Sequence, residues 1–185
     1  MITLSSLATR GVLVLWIVFL AAPAVGSGGA ASSRTVDAAT AAAIAADSSA
    51  VQDVMTKFEA ALNTRDVDKL MATLVPSDDV TLFLPVPYAP MLIGGTAEAR
   101  KAFEIFFQDL PKQAAFQVTR HQTVVQIHGD IAFGYTLHNY YLNRGDLPNT
   151  LIARTTMVFR KQDGVWRILH VHGGAVPDVK DYVPR

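Results

Sequence analysis

From Asp163 to Gly174 the chain reads DGVWRILHVHGG, and strand alternation across it puts His170 and His172 on the face that also carries Trp166. Imidazoles titrate near neutral pH, so inward-facing histidines suit either ligand binding or general acid–base chemistry. The Asp163-Gly164 pair is the strongest two-residue hairpin signal, and it predicts a register. Thr155 is expected opposite His172, Met157 opposite His170 and Phe159 opposite Ile168. One strand earlier, a register with His138 opposite Thr155 keeps Thr136 and Tyr140 on the same side. The expectation is a row of His138, Thr155 and His172, with Thr136 and His170 one step along. His172 is the expected proton-transfer residue, with His170 or Thr155 orienting it. A His-x-His pair can ligate zinc, but no H-E-x-x-H motif or third carboxylate ligand accompanies it, so no metal is predicted. No phosphate loop, dinucleotide fingerprint or G-x-S-x-G elbow is present, and no cofactor is expected. The plainer alternative is that the histidines are hydrogen-bonded members of the core. Trp166 is likewise either a core plug or a stacking platform. Tyr88, in the loop PVPYAPMLIGG, either bonds a ligand or covers an apolar end.

The elements that must position these residues fall into two halves. Val51, Val54, Met55, Phe58 and Leu62 follow the spacing of one helix face. A second, short helix is predicted after the cap Asp66, with Leu70, Met71 and Leu74 buried and Pro76 as its stop. DVTLFLP reads as a short strand, and PVPYAPMLIGG as too rich in proline and glycine for regular structure. Thr96 is the expected cap of a third helix that Pro111 ends. The second half changes period: Phe116–Ile127, Ile131–Leu142, Leu151–Arg160 and Val165–His172 are rich in β-branched and aromatic residues, with breaks at HGD, NRGDLPN and QDG. A four-stranded antiparallel meander covered on one face by helices is an α+β fold.

The composition fits one globular domain: 185 residues, half of them hydrophobic, with 16 basic and 16 acidic side chains. Zero net charge without a basic cluster gives no electrostatic footprint for nucleic acid. The absence of cysteine excludes disulfides and thiol nucleophiles. At the N-terminus Arg10 precedes an apolar run from Gly11 to about Val25 and then small residues, the anatomy of a signal peptide. The run is shorter than the ~20 residues of a membrane-spanning helix. The predicted organisation is a signal peptide over 1–28, an Ala/Ser-rich linker or loose helical lead-in over 29–46, the domain over 47–177 and a tail over 178–185. Export to the periplasm or the medium is expected; an uncleaved leader would tether the same domain to the membrane.

The stretches FEAALNTRDVDKLMATLVPSDDVTLFLP, GGTAEARKAFEIFF, HGDIAFGY and TTMVFRKQDGVWRILHVHGGAVP resemble the SnoaL-like, ketosteroid isomerase-like branch of the nuclear transport factor two-like superfamily. The last of them is also similar to the end of the association domain of calmodulin-dependent kinases. The resemblance implies a cone: a strongly curved antiparallel sheet of about four long strands and a short one, wrapped on three N-terminal helices. It also implies a small-molecule pocket at the open end and a homodimer. Phe58, Met157, Trp166, Tyr88, Thr136, Thr155 and His138 are then expected to line the pocket. The isomerase's tyrosine, carboxylate base and protonated aspartate correspond to Phe58, Leu84 and about Thr156, which cannot perform those roles. The association domain's pocket arginines correspond to positions near Thr136 and Met157. What remains is a small, mostly apolar ligand with cofactor-free dehydratase-, isomerase- or hydrolase-type chemistry, or a non-catalytic oligomerising or scavenging module.

Overall fold

The computed structural model describes residues 37–84, 91–112, 114–143 and 148–176. The apolar leader, the loop carrying Tyr88 and the tail over 178–185 lie outside the described residues. Two helices, α1 (Ala38–Thr64) and α2 (Val67–Ala72), precede two short strands, β1 (Thr81–Leu84) and β2 (Met91–Gly94), and a third helix, α3 (Thr96–Asp109). Four long strands follow: β3 (Ala115–His128), β4 (Ile131–Asn143), β5 (Pro148–Gln162) and β6 (Val165–Ala175). They form one curved, unclosed sheet in the order β2-β1-β6-β5-β4-β3.

This is the α+β class expected, with two differences in the sheet. The Pro/Gly-rich segment ends in β2, which pairs antiparallel with β1 from Thr81–Gly94 to Leu84–Met91. β1 in turn joins β6 in parallel, so the sheet is mixed rather than wholly antiparallel. Pairing there is short, with Thr81, Leu82 and Phe83 beside His170, Val171 and His172.

α1 starts well ahead of the expected boundary at Asp47. Asp37 caps it by accepting from the Thr40 amide at 2.7 Å, and the alanine-rich lead-in has the highest helix propensity of any residue type. Val51, Met55, Phe58 and Leu62 are its buried stripe, packed with Met157, Phe159 and Ile168 of the sheet. Asp47 Oδ1 accepts from both Lys161 Nζ (2.7 Å) and the Trp166 indole N–H (2.9 Å), which fastens α1 to the β5–β6 hairpin. α2 has the expected cap, Asp66. Gly95, not Thr96, is the cap of α3; the Thr96 hydroxyl instead donates to the Ser77 carbonyl at 2.8 Å.

The hairpin turn forms as expected, with positive φ at Asp163 (51°) and Gly164 (76°), and it pairs Lys161 with Trp166 and Phe159 with Ile168. Beyond that point a bulge changes the register. Val158 pairs with His170, which leaves Leu169 without a partner of its own, and Met157, Thr156 and Thr155 then face Val171, His172 and Gly173. The expected pairs Thr155–His172 and Met157–His170 do not form. A one-residue shift exchanges the two faces of a strand, so Val171 enters the core and the histidines leave it. Burying valine there needs no hydrogen-bond partner, whereas an imidazole would.

A second bulge, between Arg120 and Thr123 of β3, preserves the inner face: Arg120 pairs with His138 and Thr123 with Thr136. Between β4 and β5 the register is displaced by two residues from the expected one. Thr136 lies opposite Thr155 and His138 opposite Ala153, a slide that keeps all three polar residues on one face because it is even.

Gly134 of β4 lies beneath Met55 of α1 and beside Phe159 of β5. A Cβ there would lie 3.1 Å from Phe159 Cε2 and 3.4 Å from Met55 Sδ. Gly134→Ala is expected to destabilise the fold by about 1–3 kcal/mol through overpacking, read as a lower urea midpoint with unchanged slope.

Candidate functional site

Between α1 and strands β3, β4 and β5 the apolar interior contains a connected set of polar side chains. His138, 1% exposed, sits at its centre. Its Nε2 lies 3.0 Å from Glu59 Oε1 and its Nδ1 3.0 Å from Thr155 Oγ1. Arg120 approaches the same carboxylate oxygen, with Nε at 3.2 Å, and its Nη2 donates to Thr56 Oγ1 at 2.8 Å. Tyr140 lies on the same face two residues along β4, its ring 5.9 Å from the imidazole centroid. Burial pushes the Tyr140 phenol up to about 12; a hydrogen bond with Thr155 pulls partly against this, and the charge of Glu59 adds to it.

Each position follows from local structure. Glu59 is four residues after Met55 and three before Leu62, so the helix turns it toward the sheet with the buried stripe. Arg120 is two residues beyond the buried Val118 on β3, and the bulge that follows holds it opposite His138. A carboxylate only accepts hydrogen bonds, which puts the imidazole proton on Nε2. In the neutral ring Nδ1 is then the acceptor and the Thr155 hydroxyl its donor. This assigns a directed chain from Thr155 through His138 to Glu59.

The expected site residues separate into groups. His138, Thr155 and Thr136 share the inner face, with Thr136 and Thr155 directly opposed. Phe58 and Met157 are buried in the core that packs α1 onto the sheet, and Trp166 is buried there with its indole on Asp47. His170 and His172 lie on the other face, so the face-sharing that assigned them to the pocket is absent. Thr81 Oγ1 is 2.7 Å from His170 Nδ1, and Phe83 meets His172 edge-on at 5.1 Å. Burial holds the His170 imidazole below its usual range; neighbouring His172 adds to the shift, and a hydrogen bond from the ring to the Thr81 backbone opposes it. A groove of about 410 Å³ also lies on the outer face, between Gln122, Val124, Tyr135, Leu137, Arg154 and Thr156, with Thr136 and Thr155 at its floor. No histidine or carboxylate lines it. The titratable polar cluster is on the inner face. Tyr88 lies outside the described residues. Glu59, Arg120 and Thr56 were absent from the expected set, although helical spacing and strand alternation place Glu59 and Arg120 inward.

The family model of the SnoaL-like domain matches residues 51–178, from the first buried residue of α1 to beyond β6. The chain belongs to the SnoaL-like family. Solved structures share the fold of this SnoaL-like domain. A putative dehydratase of the NTF2-like family from Streptomyces avermitilis aligns with a TM-score of 0.63 at 18% identity, over 72% of this chain and 99% of its own. An NTF2-like protein of unknown function from Pseudomonas putida gives 0.61 at 22% identity, over 76% and 94%. The CaMKII hub of S. rosetta gives 0.56 at 28% identity, over 70% and 96%.

In this SnoaL-like domain Tyr140 is expected to titrate near pH 12, above the usual tyrosine value of about 10. Ultraviolet titration of wild type minus Tyr140→Phe isolates it, and Glu59→Gln is expected to lower the value by removing the facing charge.

Proposed function

We propose that this domain binds a small, mostly apolar organic molecule in the interior of its curved sheet and moves a proton on it. His138 is the proton-transfer residue, oriented by Glu59 and Thr155. The observation that carries this reading is the buried Thr155–His138–Glu59 chain, an imidazole with a carboxylate behind one nitrogen and a rotatable hydroxyl at the other. The carboxylate holds the ring in one tautomer and stabilises the imidazolium that forms when Nδ1 takes a proton. A ligand group that displaces the Thr155 hydroxyl, or passes its proton through it, meets a positioned base. The reaction class is cofactor-free general acid–base chemistry of the dehydratase, isomerase or hydrolase type, and the dehydratase description of the Streptomyces avermitilis structure supports it. The apolar leader supports export of the domain to the periplasm or the medium. Exposed Val124, Tyr135 and Ile152 on the outer sheet face support a homodimer.

A non-catalytic association module is the second reading, favoured by the likeness to the S. rosetta hub. In that case the chain of hydrogen bonds is a polar part of the core, and native mass spectrometry shows a ligand-free higher oligomer.

His138→Gln keeps hydrogen-bonding capacity but cannot take up a proton. Assayed on the molecule that copurifies with the protein, identified by denaturing mass spectrometry, it is expected to lose roughly 10²–10⁴-fold in turnover with the fold retained. His172→Gln, on the outer face, is expected to stay within about twofold of wild type. Unchanged turnover in His138→Gln would remove the assignment.

A further inference from the structure

Arg120 leaves one hydrogen-bonding group of the inner cluster unused. Nε rests on Glu59 and Nη2 on Thr56, but Nη1 is buried and has no partner. Among the described residues it is the only buried side-chain nitrogen or oxygen in that condition. Leaving a buried guanidinium donor unpaired is costly, and a native fold keeps few such groups. The cluster as a whole is rich in donors. One carboxylate oxygen already accepts from both Arg120 and His138, and the Thr56 hydroxyl that accepts from Arg120 Nη2 itself donates to the Gln52 carbonyl. An acceptor is missing. The arginine side chain keeps 16% of its surface exposed, while Nη1 itself is buried.

We propose that the missing acceptor belongs to the ligand, and that it is the carboxylate of a small apolar organic acid, docked on Arg120 Nη1. This rests on the reading of the inner face as the binding site, but it does not require His138 to be catalytic. The donor favours an anion over a neutral carbonyl, because hydrogen bonds between guanidinium and carboxylate are about twice as strong as neutral ones. Thr56 and Glu59 hold the guanidinium by its other two nitrogens, so Nη1 is presented without a further loss of side-chain freedom on binding.

Isothermal titration of the purified protein with phenylacetate and hexanoate, each beside its neutral amide, tests the assignment. At least one acid is expected to bind about tenfold or more tightly than its amide, and Arg120→Met is expected to abolish the difference. Equal affinity of acid and amide, no binding of either acid at millimolar concentration, or a preference that survives Arg120→Met would overturn it. If circular dichroism shows Arg120→Met to be unfolded, Arg120→Lys decides, since it keeps the charge beside Glu59 but moves the donor. It is expected to weaken the acid about tenfold, and unchanged affinity overturns the proposal. The two readings fail separately, because acid preference is read from binding and the role of His138 from turnover.

Discussion

Parity along β6 decides which side chains meet α1, and a single extra residue, Leu169, sets it. Up to Ile168 the strand follows the register of its Asp163-Gly164 turn; past Leu169 every side chain is on the opposite face. Val171 therefore completes the core, and His170 and His172 face outward beside Thr81 and Phe83. Without the bulge two imidazoles would sit under the helix. The bulge in β3 acts in the complementary sense, keeping Arg120 and Thr123 in line with His138 and Thr136. Two irregular residues thus define where the polar groups of the interior lie.

With that frame set, the interior depends on Glu59. It brings a charge from the helix into contact with the sheet and has two partners there, Arg120 and His138. A buried ion pair gains little net stability over an apolar replacement, yet losing one partner is expensive because the other charge is stranded. Here it fixes the imidazole tautomer, hands Nδ1 to Thr155 and leaves a guanidinium nitrogen unused. Beside this cluster Gly134 leaves room for Met55 of α1 and Phe159 of β5.

Much of this was legible in the residues themselves. The stripe Val51–Met55–Phe58–Leu62, the Asp66 cap, the Asp163-Gly164 turn and the four long strands are local features, and local propensity and pattern agree with the fold. The resemblance to SnoaL-like proteins anticipated the cone. What escaped depends on partners distant in sequence. Nothing within DGVWRILHVHGG announces a bulge, because its cause is the competition between Val171 and two histidines for a place under α1. β2 was hidden by the prolines that precede it, and its strand forms only because β1 offers an edge. Glu59 was hidden by its type: a charged residue on a buried helical stripe reads as surface until an inward Arg120 and His138 are placed opposite it.

The chain contains no native cysteine, so introduced thiols can be followed one at a time. Reaction of His138→Cys and His172→Cys with a water-soluble disulfide reagent under native conditions tests which histidine faces inward, on which the site assignment rests. The expected result is a His172→Cys thiol that reacts as fast as in denaturant and a His138→Cys thiol that reacts only on unfolding. A protected thiol at 172 together with a freely reactive one at 138 would contradict the account.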